Sequence, residues 1–228
     1  MERGSGWLLA SCGIAGPVLF TAGWMAGSLV QTGHSAGSVQ LSGLAAMDAR
    51  EPGLMMAGFV GLGACSIAFG AALRRLPAAG SAGPWLVTVA GTATVAAGLF
   101  RRDHLLLTGP GFTGESWHNQ VHDVVSGVAY AAMVAAPLVL AHSFRADPDW
   151  AGLRRPLQAL ALASAAALAL FASGAVQPWD AVVQRVAVTL PLAAEVLIAA
   201  RLLAAGRRAR LSQLARFSRA GPGVQRAG

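Results

Sequence analysis

The chain has 228 residues, 55% hydrophobic and only 12% charged, against roughly 25% charged in an average soluble domain. With a mean hydropathy of +0.55, this excludes a water-soluble globule and predicts a multi-pass membrane protein. A net charge of +7 and a pI near 11.3 would raise nucleic acid as a partner for a soluble domain. Here all 17 basic residues are Arg, placed between apolar runs and at the C-terminus, so the excess predicts membrane topology and no nucleic-acid partner.

Six spans follow in chain order: Trp7 to Val30, Gly53 to Leu73, Pro84 to Phe100, Val121 to Ala141, Pro156 to Val176, and Ala181 to Ala205. All six are predicted as helices, because an open sheet cannot satisfy its backbone in lipid and the period-two alternation of a barrel strand is missing. The expected fold class is therefore all-α, a six-helix transmembrane bundle. Arg3 precedes the first span, but that span is longer than the ~7–15-residue core of a signal peptide and predicts an uncleaved helix. The third span is short before Arg101 and Arg102, which by snorkelling to the headgroups would extend it.

Arginine counts give an orientation. Twelve lie on the side of the N-terminus, the second and fourth loops and the tail, and four (Arg50, Arg101, Arg102, Arg185) on the opposite side, which predicts that both termini are cytoplasmic. Trp7, Trp85, Trp117 and Trp179 fall at predicted helix ends, where indole favours the headgroup layer. Residues 1–206 form the expected transmembrane domain and 207–228 a basic cytoplasmic tail. In that tail Leu211, Leu214 and Phe217 are at helical spacing, suiting either a helix on an anionic leaflet or a disordered topology signal. Gly23/Gly27, Gly61/Cys65 and Ser66/Gly70 place small residues four apart, as close helix packing requires. Cys12 and Cys65 sit in apolar runs as small hydrophobes, without disulfide or metal spacing.

The predicted orientation gathers the unusual polar residues on the outer side: His34, Asp48 and Glu51 in the first loop, then Asp103, His104, Glu115, His118, His122 and Asp123, and finally Asp180, Gln184 and Arg185. His118 and His122, four apart on a helix, put two imidazoles on one face. With a third ligand from Asp103 or Asp48, the pair has the elements of a divalent metal site such as Zn; without a metal it pairs a general base with an acid. The plainer alternative is that these histidines cap helices and tie loops, since Asn119 stands where H-E-x-x-H has Glu.

Glu195 lies near the middle of the last span, where an ionised carboxylate costs at least ~2.5 kcal/mol. Pro191, four residues earlier, removes a backbone hydrogen bond. Together they mark a polar cavity, a proton relay or a ligand contact, or else a neutral Glu bonded to Tyr130, Thr92 or another small polar group. No G-x-S-x-G, Walker loop or dinucleotide fingerprint is present.

The run Leu99-Phe100-Arg101-Arg102-Asp103, then Gly111-Phe112, then Ser116-Trp117-His118 and His122 resembles the F-x-x-D, G-F and S-W-H-x-x-x-H pattern of a bacterial six-helix membrane family, domain of unknown function nine-nine-eight. His34-Ser35, Leu41-Ser42-Gly43-Leu44, the stretch from Asp48 to Phe59, and Gln184-Arg185 agree with it. His104, where the pattern has Pro, and Glu195 depart from it. The resemblance implies a six-helix bundle in a bacterial plasma membrane and implies no activity.

Three functions are therefore open on the sequence. One is a non-catalytic accessory protein, or a binder of a lipid or other small hydrophobic molecule. Another is a membrane-embedded hydrolase or transferase for a lipid-like substrate, with His118, His122 and Asp103 catalytic or metal-binding, Asp48 a reserve ligand, and Arg185, Trp117 and Gln184 holding the substrate. The last is a small proton-coupled transporter using Glu195.

Overall fold

A computed structural model describes residues 3–33, 35, 37–106, 115–176 and 178–219, and no strand occurs among them. His34, the Gly111-Phe112 pair and residues 220–228 lie outside the described residues, as do the side chains of Leu214 and Phe217. Six helices are long and apolar enough to cross a membrane: α1 (Arg3–Val30), α2 (Pro52–Leu73), α3 (Ala82–Leu99), α4 (Trp117–Phe144), α5 (Arg154–Ala172) and α6 (Asp180–Arg219). The chain is a multi-pass membrane protein, and helices are the form in which a crossing segment satisfies its own backbone, as lipid demands.

Each helix packs on the next in sequence, and α6 closes the ring by packing on α1 as well as α5, with a smaller contact to α4. The connections therefore fall into two sets. One end, called here the terminal end, carries the start of α1, the end of α6 and the turns at 74–81 and 145–153. The other, the loop end, carries the described residues between α1 and α2, between α3 and α4, and between α5 and α6. Leu8, Leu29 and Leu162 are among the large apolar side chains left exposed on the outside of the ring, the arrangement a lipid solvent favours.

Small residues set the helix spacing. Gly63 of α2 and Gly91 of α3 face each other so closely that a Cβ on Gly91 would lie 2.6 Å from the Gly63 carbonyl oxygen and 2.9 Å from the Ile67 nitrogen. At Gly23 a Cβ would meet the Leu54 oxygen of α2 at 3.0 Å. The small residues of α1 and α2 thus serve packing within the bundle. Phe69, Leu73, Leu140, Phe144, Leu157 and Ile198 anchor a core toward the terminal end, and Phe20, Leu41, Leu44, Met55, Phe59 and Leu62 another toward the loop end.

Helix boundaries follow local chemistry more than hydropathy. α4 begins at Trp117, ahead of the apolar run, because the Ser116 hydroxyl accepts the Asn119 N–H at 3.3 Å. α5 stops at Ala172, before the end of its apolar run, where Ser173 donates to the Leu170 carbonyl at 2.7 Å and Gly174 turns left-handed at φ 66°. α3 is not extended past Leu99, because Arg101 and Arg102 turn inward to the first loop. α6 runs through Gly206 to Arg219, 40 residues, or about 60 Å at 1.5 Å per residue. A hydrocarbon core is only ~30 Å thick, so the Arg-rich last turns continue beyond it.

Candidate functional site

At the loop end, polar side chains fasten the first loop down onto the bundle. Val39, Leu41 and Leu44 bury in the core and pull the segment in, which leaves its backbone needing partners. Arg101 supplies two, donating from Nε to the Ala45 carbonyl at 2.9 Å and from Nη2 to Ala46 at 2.7 Å. Arg102, only 7% exposed, donates to Gln40 Oε1 at 3.1 Å and Ser42 Oγ at 3.4 Å, with Asp123 at 3.9 Å. Gln40 in turn donates to Asp180 at 3.2 Å.

Gln184 and Arg185, foreseen as substrate contacts, hold this same loop. Gln184 accepts the Leu41 N–H at 2.8 Å and donates to the Tyr130 hydroxyl at 2.9 Å. Arg185, 8% exposed, donates to the carbonyls of Ala181 at 3.0 Å and Val39 at 2.9 Å. Its guanidinium carbon lies 5.4 Å from the Trp24 ring centroid, and among the described residues its Nε has no hydrogen-bond partner.

The other predicted residues are placed separately. His122 is 1% exposed and its Nδ1 lies 2.9 Å from the Ala97 carbonyl and 2.7 Å from that of Phe100. Carbonyls only accept, so Nδ1 carries the proton; Nε2 then accepts from the Ser126 hydroxyl at 3.2 Å. His122 thus ties α4 to the end of α3. His118 instead lies against Trp117, ring centroids 3.7 Å apart, and Trp117 is 61% exposed. Asp103 accepts the Ser116 N–H at 2.7 Å and its hydroxyl at 2.6 Å, and these bonds hold its carboxyl below the usual aspartate range. Asp48 accepts the Leu105 N–H at 2.6 Å and meets His104 Nδ1 at 3.2 Å. Among the described residues no three His, Cys, Asp or Glu side chains gather into a metal-sized group.

Glu195 is reached by one hydroxyl, Ser66 Oγ of α2, at 3.1 and 3.2 Å from its two oxygens. It faces a cavity of ≈ 30 Å³ among α2, α3, α4 and α6, lined by Pro137, Pro191 and Met133 among others and by no Arg. Pro191 deprives the Ala187 carbonyl of its helical donor. Ser164 of α5 replaces it, donating at 2.7 Å.

A groove of ≈ 380 Å³ opens at the terminal end between α1, α2 and α6, with Trp7, Leu76, Leu202 and Gly206 as walls and Arg75 and Arg210 as its charged members. Among the described residues that line it none is acidic. The Arg210 guanidinium carbon lies 5.7 Å from the Trp7 ring centroid, and among the described residues the buried Trp7 Nε1 has no hydrogen-bond partner. Sequence reasoning used Trp7 and these arginines as topology markers. Their convergence depends on α6 continuing past Gly206 as helix, which hydropathy does not report.

No curated protein and no solved structure matches the chain. The described motif residues that resembled a family nevertheless occupy defined places in this fold, from Asp103 at the cap of α4 to Gln184 and Arg185 on α6, against the first loop. A match over residues 14–201 agrees with them, and the chain belongs to the DUF998 family of proteins of unknown function.

Proposed function

We propose that this chain is a non-catalytic lipid-binding protein of the bacterial plasma membrane, with both termini cytoplasmic and an anionic phospholipid seated in the terminal-end groove. The groove carries this reading. Its ≈ 380 Å³ falls in the range of ligand sites, its apolar walls suit acyl chain, and the two guanidinium groups of Arg75 and Arg210 in its lining suit a phosphate headgroup. The Arg excess that predicts cytoplasmic termini puts the groove at the inner leaflet. Support for a non-catalytic role comes from His122, whose Nδ1 is engaged by the Ala97 and Phe100 carbonyls, and from Asp103, whose carboxylate is engaged by Ser116 at the start of α4.

Native mass spectrometry of detergent-released protein in phosphatidylglycerol/phosphatidylcholine mixtures tests this. Wild type should retain phosphatidylglycerol preferentially, and the Arg75→Ala/Arg210→Ala double variant should lose the preference. Equal retention of both lipids by wild type would reject it.

A further inference from the structure

Independently of the lipid reading, we infer that Glu195 binds and releases a proton through a hydrated path from the loop end, with the Met133 side chain as the partition along it.

The cavity at Glu195 has a neighbour. A second cavity of ≈ 30 Å³ lies toward the loop end, lined by Ser42, Thr94, Ser126 and Tyr130 with apolar residues between, and Met133 lines both. A water needs about 10–15 Å³ by this measure and two to four polar partners. The outer cavity supplies four hydroxyl-bearing side chains; the inner one supplies the Glu195 carboxyl and the Ser66 hydroxyl. Each thus has the room and the polar lining for water.

Beyond the outer cavity the polar line continues. Ser42 Oγ accepts from Arg102 Nη1 at 3.4 Å, and Arg102 faces Asp123 at 3.9 Å, whose side chain is 46% exposed. Among the described residues no such line leads from the inner cavity toward the terminal end. Phe69, Leu73, Leu140, Phe144 and Ile198, none more than 2% exposed, pack in one cluster toward the terminal end. Proton access to Glu195 is therefore one-sided.

The groups able to influence that proton are few. Cys65 of α2, with Cys12 of α1 beside it, lies within electrostatic reach of Glu195. α4 contributes Tyr130, and His122 through Ser126; α3 lines both cavities with no titratable group. Arg102 and Asp123 stand at the mouth. The step itself is simple: a proton passes from water at the mouth to the Glu195 carboxylate, and the same O–H bond breaks on release.

The experiment is infrared difference spectroscopy of the protein in lipid bilayers. Subtracting Glu195→Gln from wild type at acidic pH isolates the Glu195 carboxyl band, whose downshift is followed after transfer from H₂O to D₂O. Wild type should exchange readily. Ala129→Leu, which fills the outer cavity and leaves its hydroxyls, should slow exchange several-fold, and Met133→Ala, which thins the partition, should speed it several-fold. Circular dichroism confirms folding, and Met133→Ala alone decides the matter if Ala129→Leu does not fold. A band that never exchanges, or a rate unchanged by opening or filling the path, overturns the inference.

Discussion

The bond from Ser164 to the Ala187 carbonyl is a sharp point at which to test how this bundle is held. Pro191 has no N–H, so Ala187, four residues earlier, lacks a helical donor, and Ser164 supplies one at 2.7 Å. Ser164 is 0% exposed and Ala187 1%, so water cannot replace the hydroxyl. Interhelical hydrogen bonds in membranes average about 0.6 kcal/mol and reach about 1.7, while stranding a buried carbonyl costs about 1–3 kcal/mol. Ser164→Ala should therefore cost about 1–2 kcal/mol. In a Pro191→Ala background the new N–H bonds to Ala187, and the same substitution should cost less than about 0.5 kcal/mol, a coupling of about 1 kcal/mol. Reversible unfolding in mixed micelles gives all four corners of the cycle. If Ser164→Ala costs the same with and without Pro191, the hydroxyl is not serving that carbonyl and the reasoning fails.

The two histidines should behave unequally: His122→Ala, which strands the Ala97 and Phe100 carbonyls, should cost about 1–3 kcal/mol, while His118→Ala should stay within about 0.5 kcal/mol. Equal losses, with a bound metal released by either change, would instead mark them as a ligand pair. At the α2–α3 crossing Gly91→Ala drives a Cβ to 2.6 Å from the Gly63 oxygen and should destabilise by about 1–3 kcal/mol. Gly127→Ala, with nothing within 4 Å of its Cβ, should be neutral or stabilise by up to about 1 kcal/mol; comparable melts for both would contradict the crossing. Because the folded Asp103 carboxyl is held low by Ser116, its contribution is present above the unfolded value of about 3.9 and fades as pH falls through the folded one. Melting temperature should thus fall more steeply below that point in wild type than in Asp103→Asn, by a modest margin for so solvated a group.

The fold was legible because lipid makes hydropathy nearly decisive: long apolar runs have to be helices. The ends were less legible, since a capping Ser116 or a left-handed Gly174 is local chemistry that an apolar window averages away. The polar residues were legible as unusual but not in their partners. Gln184 and Arg185 hold Leu41 and Val39, more than 140 positions away in sequence, and nothing local announces that the first loop folds back into the bundle. His118 and His122 show the limit of spacing arguments. Four residues apart they share a face in principle, yet one is drawn under α3 by two carbonyls while the other lies against an exposed indole.

Trp7 reports most directly on the central claim that the terminal-end groove holds an anionic phospholipid. The quenching assigned to it is the difference between wild type and Trp7→Phe in bilayers carrying brominated phosphatidylglycerol or brominated phosphatidylcholine at equal mole fraction. Stronger quenching by phosphatidylglycerol, abolished by Arg75→Ala/Arg210→Ala, is the predicted result. Equal quenching by the two lipids, or a preference that survives loss of both arginines, would contradict it.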